Sequence, residues 1–447
     1  MKKVRNGFIK NLNYLCLISV VVLGLTTVIG TGGCRNGGGD NGGEPLEQDW
    51  GFDVAKSEKP RNMSPSVELN EINELVKGNT DFALDLYHQL KDSEPGNLFY
   101  SPHSISIALA MAWAGSAGST ETQMADVLHF TLLQDRFHPA FNALDLDLMS
   151  RGLGAADEFR LSIVNAIWGQ TGHSFEQSFL DVIAENYGTG LHLLDFVSEP
   201  EGSRIIINEW VDYQTEGRIE NLLPEGSITV STILVLTNAI YFKADWISQF
   251  DKARTQPNDF HLLGGGQVSV DMMSQDTNLM YVQGTDYQAV EMPYKGDDTS
   301  MVVILPDAGE LEDFETSLNA TAIDTIIDAL SIEYMTLTMP KFSFSYEMEM
   351  SQVLKDMGMT DAFDPGLADF SGIDGTRELF ISHVVHKAFV AVDEEGTEAA
   401  AATGVIMPTS APPPVLQMVV DHPFIFLIRD KETGAILFLG RVLDPTA

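Results

Sequence analysis

The residues that could make or break bonds do not form a recognised catalytic arrangement. The segment Gly115-Ser-Ala-Gly118 is the nearest approach to a nucleophile elbow, but its spacing differs from G-x-S-x-G. His383 and His386 are the best candidate pair of metal ligands among ten histidines. In a strand, their odd separation directs them to opposite faces, so they could not bind one ion. The sequence contains neither an H-E-x-x-H motif nor a P-loop. We therefore expect no enzyme activity, no metal and no cofactor.

The composition excludes further classes of function. The 447 residues include 64 acidic and 26 basic side chains, and the formal net charge is −38. Such a surface repels phosphate backbones, so we expect no nucleic-acid partner. The two cysteines, Cys16 and Cys34, both precede the expected folded part, which excludes a disulfide scaffold and a cysteine zinc site there.

The N-terminal residues are typical of a secretory signal. Four basic side chains precede an apolar run over residues 12–29, and small residues then lead to Cys34. This layout resembles a bacterial lipoprotein signal, with Thr31 where a bulky aliphatic residue is usual. An uncleaved membrane anchor is the alternative, because the run is just long enough to span a bilayer. We expect a signal peptide over residues 1–33, a lipid on Cys34, a flexible glycine-rich tether over residues 34–67, and an extracellular or cell-surface location.

The remaining residues, 68–447, predict one mixed α+β domain. Apolar residues at helical spacing open the domain, from Ile72 to Leu86. Helices are also predicted over residues 179–187, 204–215 and 351–357, and strands over residues 159–168, 232–242, 300–305, 335–339 and 384–392. Two apolar runs within residues 423–442, separated by a turn, predict a hairpin. There is no internal repeat and no regular βαβ alternation.

The segment 391–420 is compatible with three conformations. Its alanine-rich part, residues 394–402, could form a capped helix. Pro408 and Pro412 to Pro414 follow, and they favour an exposed, extended loop. As a strand, the segment would have small or apolar residues on one face, including Thr397, Ala399, Ala401 and Thr403, with Glu398, Ala400, Ala402 and Gly404 on the other.

Six separate motifs of this chain resemble those of the serpins. The residues Glu394-Glu-Gly-Thr-Glu-Ala-Ala-Ala-Ala402 and Asp421-His-Pro-Phe424 are similar to the hinge and the closing motif of the serpin reactive loop. Four further motifs occur in the family's order: Asn97-Leu-Phe-Tyr-Ser-Pro-His-Ser-Ile105, Leu236-Thr-Asn-Ala-Ile-Tyr-Phe-Lys243 with Trp246, Met339-Pro-Lys-Phe342 and Val385-His-Lys-Ala388. The resemblance covers residues 68–447.

The resemblance implies a fold and a mechanism. The fold has three β-sheets, about nine helices and an exposed reactive-centre loop. A target protease attacks the loop and forms an acyl-enzyme. The cut loop then inserts into the large sheet as a new strand and carries the protease away before deacylation. The chain would thus be a suicide substrate rather than an enzyme.

The resemblance also assigns residues to the reactive loop. The hinge comprises Glu394, Gly396, Thr397, Glu398, Ala399, Ala400, Ala401 and Ala402. Gly396 would be the pivot, where a residue without Cβ tolerates a changed backbone angle, and Thr397 would enter the sheet first. The scissile bond would join Ser410 to Ala411, with Thr409–Ser410 as the alternative. A small residue before the bond suits an elastase-like or subtilisin-like protease.

The resemblance assigns residues to two further sites, the shutter beneath the opening sheet and the breach. Ser101, Ser104, Asn238 and His386 match the shutter of the family, a buried polar network. Trp246, Lys341 and Glu394 match the breach, where insertion begins, and we expect an ion pair between Lys341 and Glu394.

The expected partner is a serine protease held covalently by a monomeric inhibitor. Trapping of a papain-like cysteine protease and a non-inhibitory role as a carrier or surface binding protein remain alternatives. We expect no heparin-type activation, because residues 119–150 contain Arg136 as their single Lys or Arg. Contact with a membrane would occur through the N-terminal lipid alone.

Overall fold

The computed structural model describes residues 50–151, 159–397 and 416–447, which form an α+β fold. These residues include ten α-helices, sixteen strands and two short 3-10 turns. The helices are α1 (Leu69–Ser93), α2 (Pro102–Trp113), α3 (Gly118–Val127), α4 (Gln134–Met149), α5 (Gln177–Tyr187), α6 (Pro200–Gln214), α7 (Leu311–Ser317), α8 (Ala320–Ala329), α9 (Ser351–Asp356) and α10 (Ser371–Asp374). The strands are β1 (Asp53–Ala55), β2 (Leu98–Tyr100), β3 (Phe159–Gln170), β4 (Leu191–Leu194), β5 (Leu234–Asp245), β6 (Gln256–His261), β7 (Gln267–Gln283), β8 (Tyr287–Pro293), β9 (Thr299–Pro306), β10 (Ser331–Pro340), β11 (Phe342–Glu349), β12 (Ile381–Val392), β13 (Gly396–Thr397), β14 (Leu416–Val419), β15 (Phe424–Asp430) and β16 (Ile436–Val442).

A seven-stranded sheet carries the residues of interest. Its strand order is β1-β4-β3-β5-β13-β12-β11. Strands β5 and β12 are parallel and pair directly from Leu234 to Tyr241 of β5. Beyond that point the short strand β13 lies between them, where Gly396 pairs with Asp245, and Thr397 pairs with both Ala244 and Val392. Strands β5 and β12 are therefore hydrogen-bonded to each other along most of their length and are separated by β13 at one end.

Both faces of this sheet are covered, which explains the nearly continuous apolar run of β5. On one face, Leu236 and Ile240 join the main hydrophobic core. Helix α2 lies in the interior of the fold, with all twelve of its residues buried, and its N-cap is Ser101, whose side chain accepts a hydrogen bond from the Ser104 N–H. On the other face, Val235 and Ala239 pack with α6 in a second core.

The second sheet follows the order β14-β10-β7-β8-β9-β15-β16-β2, and β6 also pairs with β7. The 17-residue strand β7 is shared between two parts of it. Strand β10 pairs with β7 from Met272 to Tyr281, whereas β8 pairs with its end, from Met280 to Gln283. If β7 is counted in both parts, the described strands form three sheets, as the family resemblance implies.

The folded part begins earlier than the sequence predicted. Strand β1 pairs with β4, and Phe52 packs edge-on against Trp168 with ring centroids 5.1 Å apart. The Ser57 hydroxyl donates to Asp181 at 2.6 Å, and Asn62 N–H donates to the Glu185 carbonyl at 2.8 Å. Residues 50–67 are thus part of the domain rather than of a tether starting at Cys34. Three residues of strand are too few to give a period in the sequence.

The long elements agree with the sequence pattern. The predicted helices at 179–187, 204–215 and 351–357 correspond to α5, α6 and α9. The C-terminal hairpin is β15 and β16, joined by a turn in which Gly434 has a φ of 78°. Residues 1–49, which include the predicted signal peptide and Cys34, lie outside the described residues. Over the rest of the chain that the structure describes, no helix combines the length and apolarity needed to cross a membrane.

Candidate functional site

A tight turn at the end of β12 reverses the chain into β13. The Asp393 carboxylate accepts hydrogen bonds from the backbone N–H groups of Glu395 at 2.8 Å and Gly396 at 3.3 Å. The Asp393 N–H donates to the Gly396 carbonyl at 2.9 Å. This local side-chain capping stabilises the turn. Asp393 was not identified from the sequence.

Gly396 is required by close approach of the neighbouring strand. A Cβ atom at this position would lie 2.1 Å from the Ala244 carbonyl oxygen and 2.6 Å from the Asp245 Cα. Both contacts are with backbone, which cannot move aside. The φ of Gly396 is not positive. The structure thus adds proximity to β5 as a reason for glycine at this position, and the role of Gly396 as a pivot during insertion stays a prediction.

Thr397 already lies in the sheet. Its side chain is 1% exposed, and its hydroxyl is hydrogen-bonded to the Tyr294 hydroxyl at 2.8 Å. The Tyr294 ring stacks on Trp246, with centroids 4.5 Å apart and planes 11° from parallel. Burial raises the pKa of Tyr294 far above its usual value, so the hydroxyl stays protonated. Tyr294 was missed in the sequence, because a single tyrosine outside a motif gives no signal.

Trp246, predicted at the breach, holds the backbone of the turn. Its indole N–H donates to the Asp393 carbonyl at 3.0 Å, and its backbone N–H donates to the Glu395 carbonyl at 2.8 Å. The Phe250 N–H donates to the Glu394 carbonyl at 2.8 Å. The turn is therefore held both by its own Asp393 and by the segment that follows β5.

The ion pair predicted between Lys341 and Glu394 is present. Lys341 Nζ lies 2.8 Å from Glu394 Oε2, and the Thr255 hydroxyl donates to Oε1 at 2.7 Å. Burial alone would raise the pKa of Glu394, but the hydrogen bonds from Lys341 and Thr255 outweigh it and lower the pKa below its usual value. Glu394 is thus ionised at neutral pH. The adjacent Glu395 forms a second ion pair with Lys252.

The four residues predicted as the shutter lie together beneath the closed part of the sheet. Asn238 of β5 faces His386 of β12 in the ladder, and Ser101 and Ser104 approach from α2. The Asn238 amide donates to the Ser104 hydroxyl at 2.6 Å, and Ser101 N–H donates to His386 Nε2 at 3.3 Å. Asn165 of β3 completes the network by hydrogen bonds to Ser104 and Asn238. No motif in the sequence indicated Asn165.

His386 is neutral in this network. Burial lowers its pKa to about 3. Because Nε2 accepts the Ser101 N–H, the single ring proton belongs on Nδ1, which then donates to Asn238 Oδ1. This orientation links β12 to β5 through side chains as well as backbone. A strand that enters between β5 and β12 as far as this pair has to break that link.

Several predicted residues lie outside the described part of the chain. Ser410, Ala411 and the hinge residues Glu398, Ala399, Ala400, Ala401 and Ala402 fall in the segment from 398 to 415, and Cys34 precedes residue 50. Among the described residues, no three His, Cys, Asp or Glu side chains are grouped to hold a metal ion. His383, 3.8 Å from Glu349, and the buried His386 lie in separate environments.

The chain matches the family model described as "Serpin (serine protease inhibitor)" over residues 77–445. It is 40% identical over 376 residues to an uncharacterized serpin-like protein of Thermococcus kodakarensis, which covers 83% of this chain and 86% of that protein. It is 37% identical over 384 residues to the human leukocyte elastase inhibitor, with coverage of 83% and 100%. The crystal structure of the thermophilic serpin tengpin in the native state superposes with a TM-score of 0.77 at 29% identity, covering 88% of this chain and 99% of that one.

Proposed function

The chain belongs to the serpin family, and we propose that it is a suicide-substrate inhibitor of extracellular serine proteases. In this proposal a protease cleaves the reactive loop, becomes trapped as an acyl-enzyme, and is displaced when the loop inserts into the seven-stranded sheet. The observation that carries the proposal is β13. Its two residues already begin an antiparallel strand between β5 and β12.

The register of β13 specifies where later residues would pair after insertion. Continued along β5 from the Thr397–Ala244 pair, it sets Ala399 opposite Phe242, Ala401 opposite Ile240, and Thr403 opposite Asn238. These partners face the main core or the shutter. Small residues at these positions enter without a clash or an unpaired charge. Insertion as far as Thr403 requires the contact between Asn238 and His386 to open.

The same register explains small residues on the opposite face. Ala400, Ala402 and Gly404 would lie opposite Tyr241, Ala239 and Thr237 of β5. That face is covered by α6, whose Ile207 and Val211 pack in one cluster with Ala239. A bulky side chain there would have to displace the helix. The alanine run is therefore suited to a strand that is buried on both faces.

The energy of insertion is large enough to drive such a trap. About ten residues would gain ladder hydrogen bonds at about 1 kcal/mol net each, before burial of apolar area is counted. This total is comparable to the whole stability of an ordinary domain. The uncut form is then held by a kinetic barrier, to which the shutter contacts contribute.

The residue before the expected scissile bond indicates the class of target. Ser410 is small, and Thr409–Ser410 is the alternative cleavage site. Either suits a protease with a small or shallow primary pocket, whereas a trypsin-like enzyme requires Arg or Lys. The similarity to the human leukocyte elastase inhibitor supports an elastase-like target, and a subtilisin-like enzyme fits equally.

We further propose that the inhibitor acts as a monomer at the cell surface. The pattern of residues 1–33 supports an export signal, and Cys34 supports a lipid anchor. The domain starting near residue 50 would then be displayed outside the membrane by a short glycine-rich tether. Metabolic labelling with a radioactive fatty acid, compared with a Cys34→Ser variant, tests the anchor.

The inhibitory function is tested by mixing a fragment from residue 50 onward with an elastase, a subtilisin and a trypsin. We expect a band resistant to denaturant at the summed mass with elastase or subtilisin, and a released peptide that starts at Ala411. A peptide starting at Ser410 would instead identify Thr409–Ser410 as the scissile bond. Rapid cleavage by all three without such a band would contradict the inhibitory function, and the same assay with papain covers cysteine proteases.

A further inference from the structure

Two exposed asparagines of this chain begin the tripeptide Asn-x-Ser/Thr, in which x is not proline. One is Asn62 of Asn62-Met-Ser64, and the other is Asn319 of Asn319-Ala-Thr321. This tripeptide is the acceptor for N-linked glycosylation of exported proteins. Neither asparagine belongs to the breach, the shutter or the reactive loop. Because a three-residue motif also occurs by chance, the local structure at each asparagine has to show whether it can carry a sugar.

Asn319 can be modified without losing its structural role. It is exposed between α7 and α8 and is the N-cap of α8. Its Oδ1 accepts the Ala322 N–H at 3.0 Å, and its Nδ2 donates to the Ser317 carbonyl at 3.0 Å. Nδ2 carries two hydrogens, and the Ser317 carbonyl uses one of them. N-glycosylation replaces one Nδ2 hydrogen and leaves Oδ1 unchanged, so both hydrogen bonds survive it.

The surface beside Asn319 has groups that can contact a sugar. An open cavity lies there, and its lining includes Tyr287 of β8, Phe314 of α7 and Thr321 of α8. The rings of Tyr287 and Phe314 have centroids 5.6 Å apart, and both side chains are half-buried. The C–H groups on one face of a pyranose ring can pack on an aromatic ring, and sugar hydroxyls can bond to threonine. The first sugars on Asn319 would therefore lie over a surface suited to them.

Asn62 is a poorer acceptor, although it is also exposed. Its Oδ1 accepts the Ser64 N–H at 3.1 Å, and its own N–H donates to the Glu185 carbonyl at 2.8 Å. Pro65 follows Ser64 and favours extended backbone angles for it. This restriction opposes the bend that brings the serine hydroxyl to the asparagine amide. The two tripeptides thus provide a contrast within one chain.

We propose that Asn319 carries an N-linked glycan in the exported protein and that Asn62 does not. The donor is a saccharide joined through a diphosphate to a membrane lipid, and the host cell supplies the transferase. A bond forms between Asn319 Nδ2 and C1 of the first sugar, the bond from C1 to the diphosphate oxygen breaks, and a proton leaves Nδ2. The lipid diphosphate is the leaving group. The inference rests on the export that is part of the proposed function, because this modification takes place on exported chains.

The test is the mass of two peptides from one tryptic digest of the protein, purified from the cells that export it. Trypsin releases residues 296–341, which contain Asn319, and residues 62–77, which contain Asn62. We expect the first peptide to exceed its sequence mass by a whole number of sugar residues and the second to have its sequence mass. An unmodified 296–341 peptide overturns the proposal. A sugar on the 62–77 peptide overturns the contrast between the two asparagines.

Two variants at the exposed Thr321 separate loss of the acceptor from damage to the fold. Thr321→Val removes the hydroxyl that the transferase recognises and keeps the Asn319 cap, whereas Thr321→Ser keeps an acceptor tripeptide. We expect complete loss of the glycan in the first variant and its retention in the second. Produced in a host without the transferase, both should melt at the temperature of the wild-type protein, because exposed substitutions change stability little. A glycan that persists in Thr321→Val overturns the assignment to Asn319.

The same samples separate this proposal from the inhibitory function. A glycan on Asn319 of a protein that forms no covalent complex with any protease supports the glycosylation site and contradicts the inhibitory function. An unmodified Asn319 in a protein that has lost its signal peptide and does form the complex overturns the glycosylation site and leaves the inhibitory function intact.

Discussion

Thr397 combines burial with a hydrogen bond, and this makes it sensitive to both size and charge. Replacing Thr397 with Arg would bury a charge at a position where the Tyr294 hydroxyl is the hydrogen-bond partner, at a cost of several kcal/mol. We expect β13 to leave the sheet, and the variant to be cleaved as a substrate without trapping the protease. The stoichiometry of inhibition measures this directly.

The control for that variant is Thr397→Val, which keeps the shape and removes the hydroxyl. The loss of one buried hydrogen bond should lower the stability of the intact form by about 1 kcal/mol and preserve the trapping of the protease. A stable covalent complex with Thr397→Arg would contradict the role given to β13.

The buried His103 should make the stability of the folded protein depend on pH. Its ring is fully buried against Phe141, and neither ring nitrogen has a hydrogen-bond partner among residues 50–151, 159–397 and 416–447. Burial lowers the pKa of His103 to about 4, although the charges of Asp145 and Asp430 act to raise it. The unfolded chain binds the proton near pH 6.5, so stability is complete above that pH and is lost as the pH falls toward 4.

Removing His103 should therefore weaken this pH dependence. At about 1.4 kcal/mol per pH unit, a single buried histidine accounts for about 2 kcal/mol of stability lost between pH 6.5 and 5. In denaturant unfolding, we expect the His103→Leu variant to keep at pH 5 the stability that the wild-type protein loses between pH 6.5 and 5. The control variant His261→Asn, at an exposed histidine, should lose as much stability as the wild-type protein. An unchanged pH profile in His103→Leu would show that the ring is not neutral and buried as described.

Substitutions in the short edge strand β1 test whether residues 50–67 belong to the fold. Phe52 packs on Trp168 and His192 in the smaller core, whereas Val54 is 40% exposed. Phe52→Ala should cost about 2 kcal/mol, less than for a fully buried phenylalanine. Val54→Ala should cost under about 1 kcal/mol. Equal effects of the two changes on the unfolding midpoint would mean that the segment adds no packing.

Long elements with a strong pattern were predictable from the sequence. The twelve-residue strand β5 and the hairpin of β15 and β16 are nearly continuous apolar runs, and burial on both faces accounts for such runs. The strands β1 and β13 were not predictable, because two or three residues carry no period and pair through backbone groups. Their positions depend on β4 and β5, which are distant in the sequence.

Some residues of the candidate site could be identified from the sequence, and others could not. Residues in motifs, such as Trp246, Lys341 and His386, were identified and lie in the turn and the polar network described above. Tyr294, Asn165 and Asp393 were not, since each acts through a contact that only the folded chain creates. The reason for Gly396 also needed the structure, because the close approach of Ala244 is a tertiary contact.

The inhibitory mechanism requires the intact protein to be less stable than the cleaved one. The seven-stranded sheet is closed by the ladder between β5 and β12 and by the shutter network, and it is opened at one end by β13. Each feature is consistent with a sheet that has room for one more strand once its closing contacts break. During insertion, the hydrophobic cores on the two faces of this sheet keep the rest of the fold intact.

The most direct test compares the melting temperature of the intact protein with that of protein cut between residues 398 and 415 by an enzyme that it does not trap. Insertion of about ten residues should raise the melting temperature by at least about 10 °C, because the added ladder is comparable to a domain's stability. Cleavage is verified by the mass of the C-terminal peptide after denaturation, because β15 and β16 hold this peptide in the second sheet of the folded protein. A cut form that melts at the same temperature as the intact form would contradict loop insertion and, with it, the proposed inhibitory mechanism.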